Sequence, residues 1–121
     1  MIGLLGGIGP DLDNLLILKR TADRLLGENF EFSVAAAGRH QLRFCTLAAM
    51  HGGNVRVGLE DSLYLGRGRL AQTSAEQVTA IREILERLSI EPATPAEART
   101  RLGLKGAPAL PRSAPEMTSP R

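Results

Sequence analysis

Residues 53–61, Gly-Asn-Val-Arg-Val-Gly-Leu-Glu-Asp, combine the apolar pattern of a strand with three charged side chains. Side chains alternate between the two faces of a strand, so Arg56, Gly58 and Glu60 are predicted to share one face. A parallel strand that is covered on both faces is normally an almost continuous apolar run. The charges therefore indicate either a structural ion pair at a strand end or a functional site, and composition alone favours neither.

The remainder of the chain alternates short apolar runs with helical patterns. Strands are predicted over 1–7 and 32–37, and each is followed by a glycine-containing loop and a helix. The first helix has apolar residues at helical spacing and is predicted to end at Gly27, where a residue with positive φ is expected. The second helix is predicted over 42–51. Strands that alternate with helices predict a parallel α/β sheet.

A third helix is predicted after a loop over 61–73. Ser74 and Gln77 are predicted to form a capping box at its start, and Pro92 is predicted to end it. Apolar residues at helical spacing predict its buried stripe. The stripe comprises Val78, Ile81, Leu85 and Leu88.

The C-terminal part of the chain changes in composition. Thr94 and Glu97 predict a second capping box, with Pro95 at the first helical position, so a short helix is expected over 95–102. Residues 105–121 contain four of the seven prolines among small polar residues and have no apolar period. They are predicted to form a disordered tail, and 1–104 to form the folded domain.

Composition and charge exclude several function classes. The net charge is +2, with −2 on residues 1–97 and +4 on the remainder, so the basic pI of about 9.2 comes from the C-terminal part. The chain has one Tyr, three Phe and no Trp, too few aromatic residues for base stacking, so no nucleic-acid partner is predicted. No apolar run approaches the ~18 residues of a membrane span, so no membrane partner and a cytoplasmic location are predicted. The single Cys45 is predicted to be a small buried hydrophobe.

Residues 52–64, Gly-Gly-Asn-Val-Arg-Val-Gly-Leu-Glu-Asp-Ser-Leu-Tyr, resemble the last-strand signature of the β-keto acid cleavage enzymes. This zinc-dependent family includes 3-keto-5-aminohexanoate cleavage enzyme. Four further matches lie in the family's order and spacing: Gly-Gly-Ile-Gly-Pro at 6–10, Leu-Lys-Arg-Thr-Ala-Asp at 18–23, Ala-Ala-Gly-Arg-His-Gln at 36–41 and Ala-Thr-Pro-Ala-Glu-Ala-Arg at 93–99. The resemblance implies a (β/α)₈ TIM barrel, which takes about 250 residues. The 121 residues of this chain would supply its C-terminal three strand-helix units.

The resemblance also implies roles for individual residues. Glu60 matches the family's carboxylate ligand to zinc, and Arg56 and Asp61 match the pair that removes the α-proton of the β-keto acid. The family's two histidine ligands come as a His-x-His pair, which this sequence lacks, since His40 and His51 are eleven residues apart. A catalytic zinc site normally has three protein ligands, so Zn²⁺ would need histidines from elsewhere.

Three more residues are candidates for contact with acetyl-CoA, the family's co-substrate. His40 lies in a Gly-Arg-His-Gln loop that the family shares, and its contact could instead be with substrate or a neighbouring subunit. Gly7 and Gly9 could let the backbone approach a ligand, although a tight strand-to-helix turn explains them equally well.

The implied reaction converts a β-keto acid and acetyl-CoA to acetoacetate and a new acyl-CoA. Zn²⁺ would polarise the ketone while a carboxylate accepts the α-proton. Because five strand-helix units and both zinc histidines are missing, our first hypothesis is an incomplete barrel that is inactive alone. It would require the N-terminal barrel portion of a parent that forms a homo-oligomer. The alternatives are half of a split barrel completed by another chain, and a non-catalytic module that binds acyl-CoA or a paralogue.

Overall fold

A computed structural model of the chain describes residues 1–27 and 29–105, and has a mixed α/β architecture. The helices are α1 (Leu12–Leu26), α2 (Gln41–Met50), α3 (Ser74–Arg87) and α4 (Pro95–Arg101). The strands are β1 (Ser33–Val34), β2 (Asn54–Val55), β3 (Tyr64–Gly66) and β4 (Arg69–Leu70). The chain divides into two compact units, Met1–Glu91 and Pro92–Arg121. Apart from Lys105, the predicted tail lies outside the described residues.

Three short chain segments form a parallel sheet in the first unit. β1 pairs with β2 in parallel, with Ser33 opposite Asn54 and Val34 opposite Val55. Ile2 adds a parallel bridge to Ala36, just beyond β1. The α/β class and the parallel direction agree with the predictions and are consistent with part of a barrel. The predicted strands are too long, because regular pairing covers only one or two residues of each segment.

The predicted strand over 53–61 shows why the pairing is short. β2 ends at Val55. The N–H groups of Asp61 and Ser62 both donate to the carbonyl oxygen of Gly58, over 3.1 and 3.2 Å. Backbone groups that could extend a ladder therefore close a turn instead, and the single strand face predicted for the charged residues does not form. We call residues 58–62 the 58–62 turn.

The predicted loop over 61–73 contains a hairpin that sequence analysis missed. β3 and β4 pair antiparallel, with Tyr64 opposite Leu70. Gly68 lies in the connection with φ of 72°, a left-handed conformation that glycine adopts without strain. The strands of the hairpin are short and most of their side chains are exposed, so the sequence shows no apolar alternation that would have predicted the hairpin.

Two neighbouring apolar clusters form the core of the first unit. One comprises Ile2, Leu15, Val34, Ala36, Phe44 and Ala48, and the other comprises Cys45, Ile81 and Leu85. Val55 packs against both, so β2 joins the two clusters. The burial predicted for Cys45 is confirmed, and this burial raises the pKa of its thiol to about 11.

The helix ends test the capping predictions. α1 is followed by Gly27 with φ of 64°, as predicted. α3 is capped by Thr73, whose hydroxyl accepts the N–H of Glu76, so the predicted box of Ser74 and Gln77 is wrong by one residue. α3 also ends at Arg87, well before Pro92, because Ser89 adopts a left-handed conformation with φ of 57° and the N–H of Ile90 donates back to the carbonyl oxygen of Leu85.

The second unit contains α4. The capping box predicted there is confirmed: Thr94 accepts the N–H of Glu97, and the Glu97 carboxylate accepts the N–H of Thr94. That backbone bond from Thr94 lowers the pKa of Glu97. α4 ends at Arg101, one residue before the predicted limit. Across the described residues, the helices are too short or too polar to cross a membrane.

Replacement of Ile81 by alanine should cost about 2–5 kcal/mol of unfolding free energy, the usual range for deleting a buried isoleucine. Ile81 is 3% exposed, whereas Val78, predicted for the same stripe, is 47% exposed. Val78→Ala is the matched control and should cost less than about 1 kcal/mol. Urea unfolding of the 121-residue chain measures both. Equal costs would show that another surface covers Val78.

Stability should fall as the pH rises from about 9 to about 11 because of Cys45. Its thiol pKa is raised from an ordinary value of 9.0 to about 11, so the folded chain retains a proton that the unfolded chain releases. The contribution is full below pH 9.0 and is lost as the pH passes the folded value. Urea unfolding across this window measures the decline, and Cys45→Ala should reduce its slope. An unchanged slope would assign the decline to other groups.

Candidate active site

The carboxyl ends of the parallel segments meet at one edge of the sheet. The segment after β1 enters a 3₁₀ turn, Gly38–His40, and β2 leads into the 58–62 turn. The N–H of Gly38 donates to the carbonyl oxygen of Asp61 over 2.8 Å, which joins the two turns. Open parallel sheets bind ligands outside this edge. The edge is therefore the candidate site.

Arg56 and Asp61, both predicted as catalytic, form a bidentate ion pair at this edge. Arg56 Nε lies 2.8 Å from Asp61 Oδ2, and Arg56 Nη2 lies 2.6 Å from Asp61 Oδ1. The Asp61 side chain is 3% exposed, while that of Arg56 is 50% exposed. The hydrogen bonds that Arg56 donates to Asp61 raise the pKa of Arg56, so the guanidinium stays charged. The pair fixes the carboxylate in one orientation, and each of its oxygens keeps a lone pair that could accept a proton.

Glu60, the predicted metal ligand, is exposed and does not share this pair. Its carboxylate lies against Gly58, where an added Cβ would overlap it. The missing side chain of Gly58 therefore leaves space for the Glu60 carboxylate. The two residues are close because the chain turns, and not because they share a strand face. The negative charge of Glu60 contributes less than Asp61 to the raised pKa of Arg56.

The donor set for zinc is incomplete in this part of the chain. Residues 1–27 and 29–105 contain no cluster of three His, Cys, Asp or Glu side chains that could hold a metal. A catalytic zinc ion normally takes three protein ligands. Glu60 is one potential donor, so these residues do not fit zinc by themselves.

His40 lies at the candidate edge, as the last residue of the 3₁₀ turn. An added Cβ at Gly3 would meet the His40 ring at 3.6 Å, so the first loop packs beside this histidine. His40 Nε2 accepts a hydrogen bond from Arg39 Nε over 3.3 Å, and its ring stands edge-on to Phe44 with centroids 6.2 Å apart. These contacts orient the ring and leave its proposed contact with a ligand as a prediction.

Gly7 and Gly9, the other predicted contacts, lie in the loop between Ile2 and α1. A Cβ at Gly7 would approach the Met1 carbonyl oxygen to 2.8 Å, so this glycine permits close backbone packing. The Gly9 carbonyl accepts the side-chain amide of Asn14 over 3.1 Å. Gly7 thus has a structural role within the loop, the carbonyl bond at Gly9 does not require glycine, and the contact of both residues with a cofactor stays a prediction.

Two buried glutamines behind the 58–62 turn were missed as site residues. The sequence predicts no individual role for Gln41, and for Gln77 it predicts a place in a capping box. Both are buried, and both donate hydrogen bonds to the turn. The sequence signal for Gln77 was its spacing, since it precedes Ile81 and Leu85 by four and eight residues on the same helix face.

Comparison with known proteins identifies similar sequences. The sequence model of the beta-keto acid cleavage enzyme family matches residues 1–104. The 3,5-dioxohexanoate:acetyl-CoA acetone transferase of Paraburkholderia graminis is 50% identical, over 88% of this chain and 34% of the relative. The 3-keto-5-aminohexanoate cleavage enzyme of Fusobacterium nucleatum is 44% identical, over 64% of this chain and 29% of the relative. The 3-dehydrocarnitine:acetyl-CoA trimethylamine transferase of Rhizobium meliloti is 34% identical, over 85% and 33%. The chain spans about a third of the length of these curated relatives.

Replacement of Asp61 by asparagine should break the bidentate pair and release the Arg56 side chain. Asparagine offers one oxygen and no charge, so one of the two hydrogen bonds and the ionic attraction are lost. NMR should show faster solvent exchange of the Arg56 Nε–H, and urea unfolding should show a lower unfolding free energy. Glu60→Gln removes the same charge one residue away and should leave the Arg56 signal unchanged. A signal that is equally protected in Asp61→Asn would contradict the ion pair.

Proposed function

The chain belongs to the beta-keto acid cleavage enzyme family, and from this membership we propose that Arg56 and Asp61 transfer a proton in an acetyl-CoA-dependent cleavage of a β-keto acid. The observation that carries the proposal is their bidentate ion pair at the carboxyl edge of a parallel sheet. A buried, firmly oriented carboxylate beside an accessible cation is suited to act as a general base on an anionic substrate.

The names of two relatives supply the co-substrate in this proposal. The Paraburkholderia graminis protein is named for 3,5-dioxohexanoate and acetyl-CoA, and the Rhizobium meliloti protein for 3-dehydrocarnitine and acetyl-CoA. We extend acetyl-CoA, and a β-keto acid as the second substrate, to the assembly in which this chain acts. His40, Gly7 and Gly9 are the proposed contacts to these ligands, because their loops lie at or lead to the carboxyl edge.

The proposed chemistry begins with proton transfer to Asp61. The α C–H bond of the β-keto acid breaks, the proton moves to an Asp61 carboxylate oxygen, and the electron pair delocalises onto the ketone oxygen. The enolate carbon attacks the acetyl thioester and displaces the CoA thiolate. That thiolate adds to the original ketone carbon, and retro-Claisen cleavage releases a new acyl-CoA and the carbanion of acetoacetate. The carbanion takes back the proton from Asp61, which completes the cycle.

Arg56 has two tasks in this proposal. Its two N–H groups hold both oxygens of Asp61, so the base is oriented before the substrate arrives. Its half-exposed guanidinium also places a positive charge at the opening of the site, where the carboxylate of a β-keto acid would enter. Zn²⁺, which is part of the proposal by family resemblance, would need ligands beyond Glu60 from another part of the assembly.

The proposal includes a further protein portion that completes the domain. Several large apolar side chains of this chain face solvent, and the further portion would cover them. That portion could belong to the same polypeptide or to a second one. The exposed apolar side chains include Leu5, Ile17, Leu25, Leu26, Leu63 and Leu70. The 121 residues alone are proposed to be inactive, and the completed assembly to work in the cytoplasm as a homo-oligomer.

Co-expression of this chain with the part of the Paraburkholderia graminis relative that it does not match should yield acyl transfer. Acetoacetate and acyl-CoA would be measured by mass spectrometry, with acetyl-CoA and the β-keto acids named for the three relatives. Asp61→Asn should lower the rate by about 10²–10⁴-fold, the usual contribution of a general base. Glu60→Gln should lower bound zinc, measured by elemental analysis, and should leave the Arg56–Asp61 pair intact.

The control for charge loss is Glu83→Gln, because Glu83 is exposed on α3, away from the 58–62 turn in sequence. It should leave acyl transfer and zinc content unchanged. A wild-type assembly that folds and binds zinc but converts none of the three substrates would refute the proposed function. Full activity of Asp61→Asn would refute the role of Asp61.

A further inference from the structure

We propose that Gln41 and Gln77 are positioning residues that clamp the 58–62 turn and hold the Asp61 carboxylate on Arg56. The two amides come from the first turns of two different helices, α2 and α3. The catalytic consequence rests on the proposed function, whereas the clamp itself is a property of the fold that can be tested separately.

Gln41 holds the beginning of the turn. It is 1% exposed and directly follows the 3₁₀ turn, so its side chain lies under the candidate edge. Gln41 Nε2 donates to the carbonyl oxygen of Gly58 over 3.0 Å. That oxygen also accepts the N–H groups of Asp61 and Ser62, so this bond ties the closing point of the turn to α2.

Gln77 holds the end of the turn. It is fully buried, and its Nε2 donates to the carbonyl oxygen of Ser62 over 2.5 Å. Between these two points, the N–H of Gly38 donates to the carbonyl oxygen of Asp61. Three donors from three elements therefore fix the carbonyl groups on both sides of Asp61 and at Asp61 itself.

The unused ends of the two amides favour positioning over simple packing. Gln41 Oε1 and Gln77 Oε1 are buried and have no hydrogen-bond partner among residues 1–27 and 29–105. A buried amide oxygen without a donor is unfavourable, and an apolar side chain of similar shape would avoid that cost. The favourable contribution of these two residues therefore comes from their amide N–H groups. Both N–H groups donate to the 58–62 turn, which carries the proposed base.

The clamp matters for proton transfer because the ion pair with Arg56 holds only the carboxylate of Asp61 and not its backbone. The Arg56 side chain is half exposed, so it cannot by itself fix the backbone that presents Asp61. A general base must sit within a fraction of an ångström of its productive position, and a misplacement of about 1 Å can cost about 10²-fold in rate. Loosening the turn should therefore slow proton abstraction without removing any group that touches the substrate.

The test compares Gln41→Met and Gln77→Met with Gln72→Met, whose side chain is exposed just before α3. In the 121-residue chain, NMR should show faster solvent exchange of the Arg56 Nε–H in both clamp variants and no change in Gln72→Met. In the co-expressed assembly, kcat and the rate of deuterium uptake at the substrate α-carbon should fall about 10–100-fold, with KM for acetyl-CoA unchanged within about twofold.

An Arg56 Nε–H that remains protected in folded Gln77→Met and Gln41→Met would overturn the clamp, as would unchanged deuterium uptake in an active assembly. If Gln77→Met does not fold, Gln41→Met carries the same test, because the Gly58 carbonyl keeps two backbone donors there. If the wild-type assembly takes up no deuterium, the proposed function fails. The solvent exchange of the Arg56 Nε–H in the 121-residue variants then tests the clamp independently of the proposed function.

Discussion

Two backbone hydrogen bonds between the parallel segments determine where the candidate site forms. The N–H of Asn54 donates to the carbonyl oxygen of Phe32 over 2.8 Å, and the N–H of Arg56 donates to that of Val34 over 3.0 Å. Together they align the segments in parallel, so both chains leave the sheet at the same edge. Because of this alignment, the 3₁₀ turn after β1 reaches the 58–62 turn after β2. Gln41 directly follows the 3₁₀ turn, so its hydrogen bond to the Gly58 carbonyl depends on that meeting.

The sequence predicted the helices better than the strands, and the reason lies in where each finds its hydrogen bonds. A helix satisfies its backbone within its own segment, so local signals such as Gly27 and the box of Thr94 and Glu97 predict its ends. A strand needs a partner at every second residue, and the sequence does not state how far the partner extends. Residues 53–61 have the side-chain alternation of a strand. The N–H groups of Asp61 and Ser62 nevertheless donate to the nearby Gly58 carbonyl and not to a neighbouring strand.

The candidate site was predicted in its residues more than in its geometry. Arg56 and Asp61 were identified through resemblance, while strand alternation placed Glu60 on the face of Arg56. A turn changes that relationship, because the N–H groups of Asp61 and Ser62 bond back to the Gly58 carbonyl and the Asp61 carboxylate meets the guanidinium. Gln41 had no comparable signal, since the carbonyl that it contacts is 17 residues away in sequence and belongs to the turn that the strand pattern concealed.

The backbone from 56 to 62 is held by interior donors at four carbonyl groups. Cys45 Sγ lies 3.2 Å from the carbonyl oxygen of Arg56, and the amides and the Gly38 N–H reach those of Gly58, Ser62 and Asp61. A core chosen for stability alone would replace such donors with apolar side chains, since the oxygens of both amides are unpaired within the part of the chain that the structure describes. These unpaired oxygens are departures from optimal hydrogen bonding, and they concentrate in the two residues that support the segment carrying Arg56 and Asp61. That concentration is what a site requires when its charges must stay fixed beside solvent, because surface side chains cannot supply the rigidity that the interior supplies through the backbone.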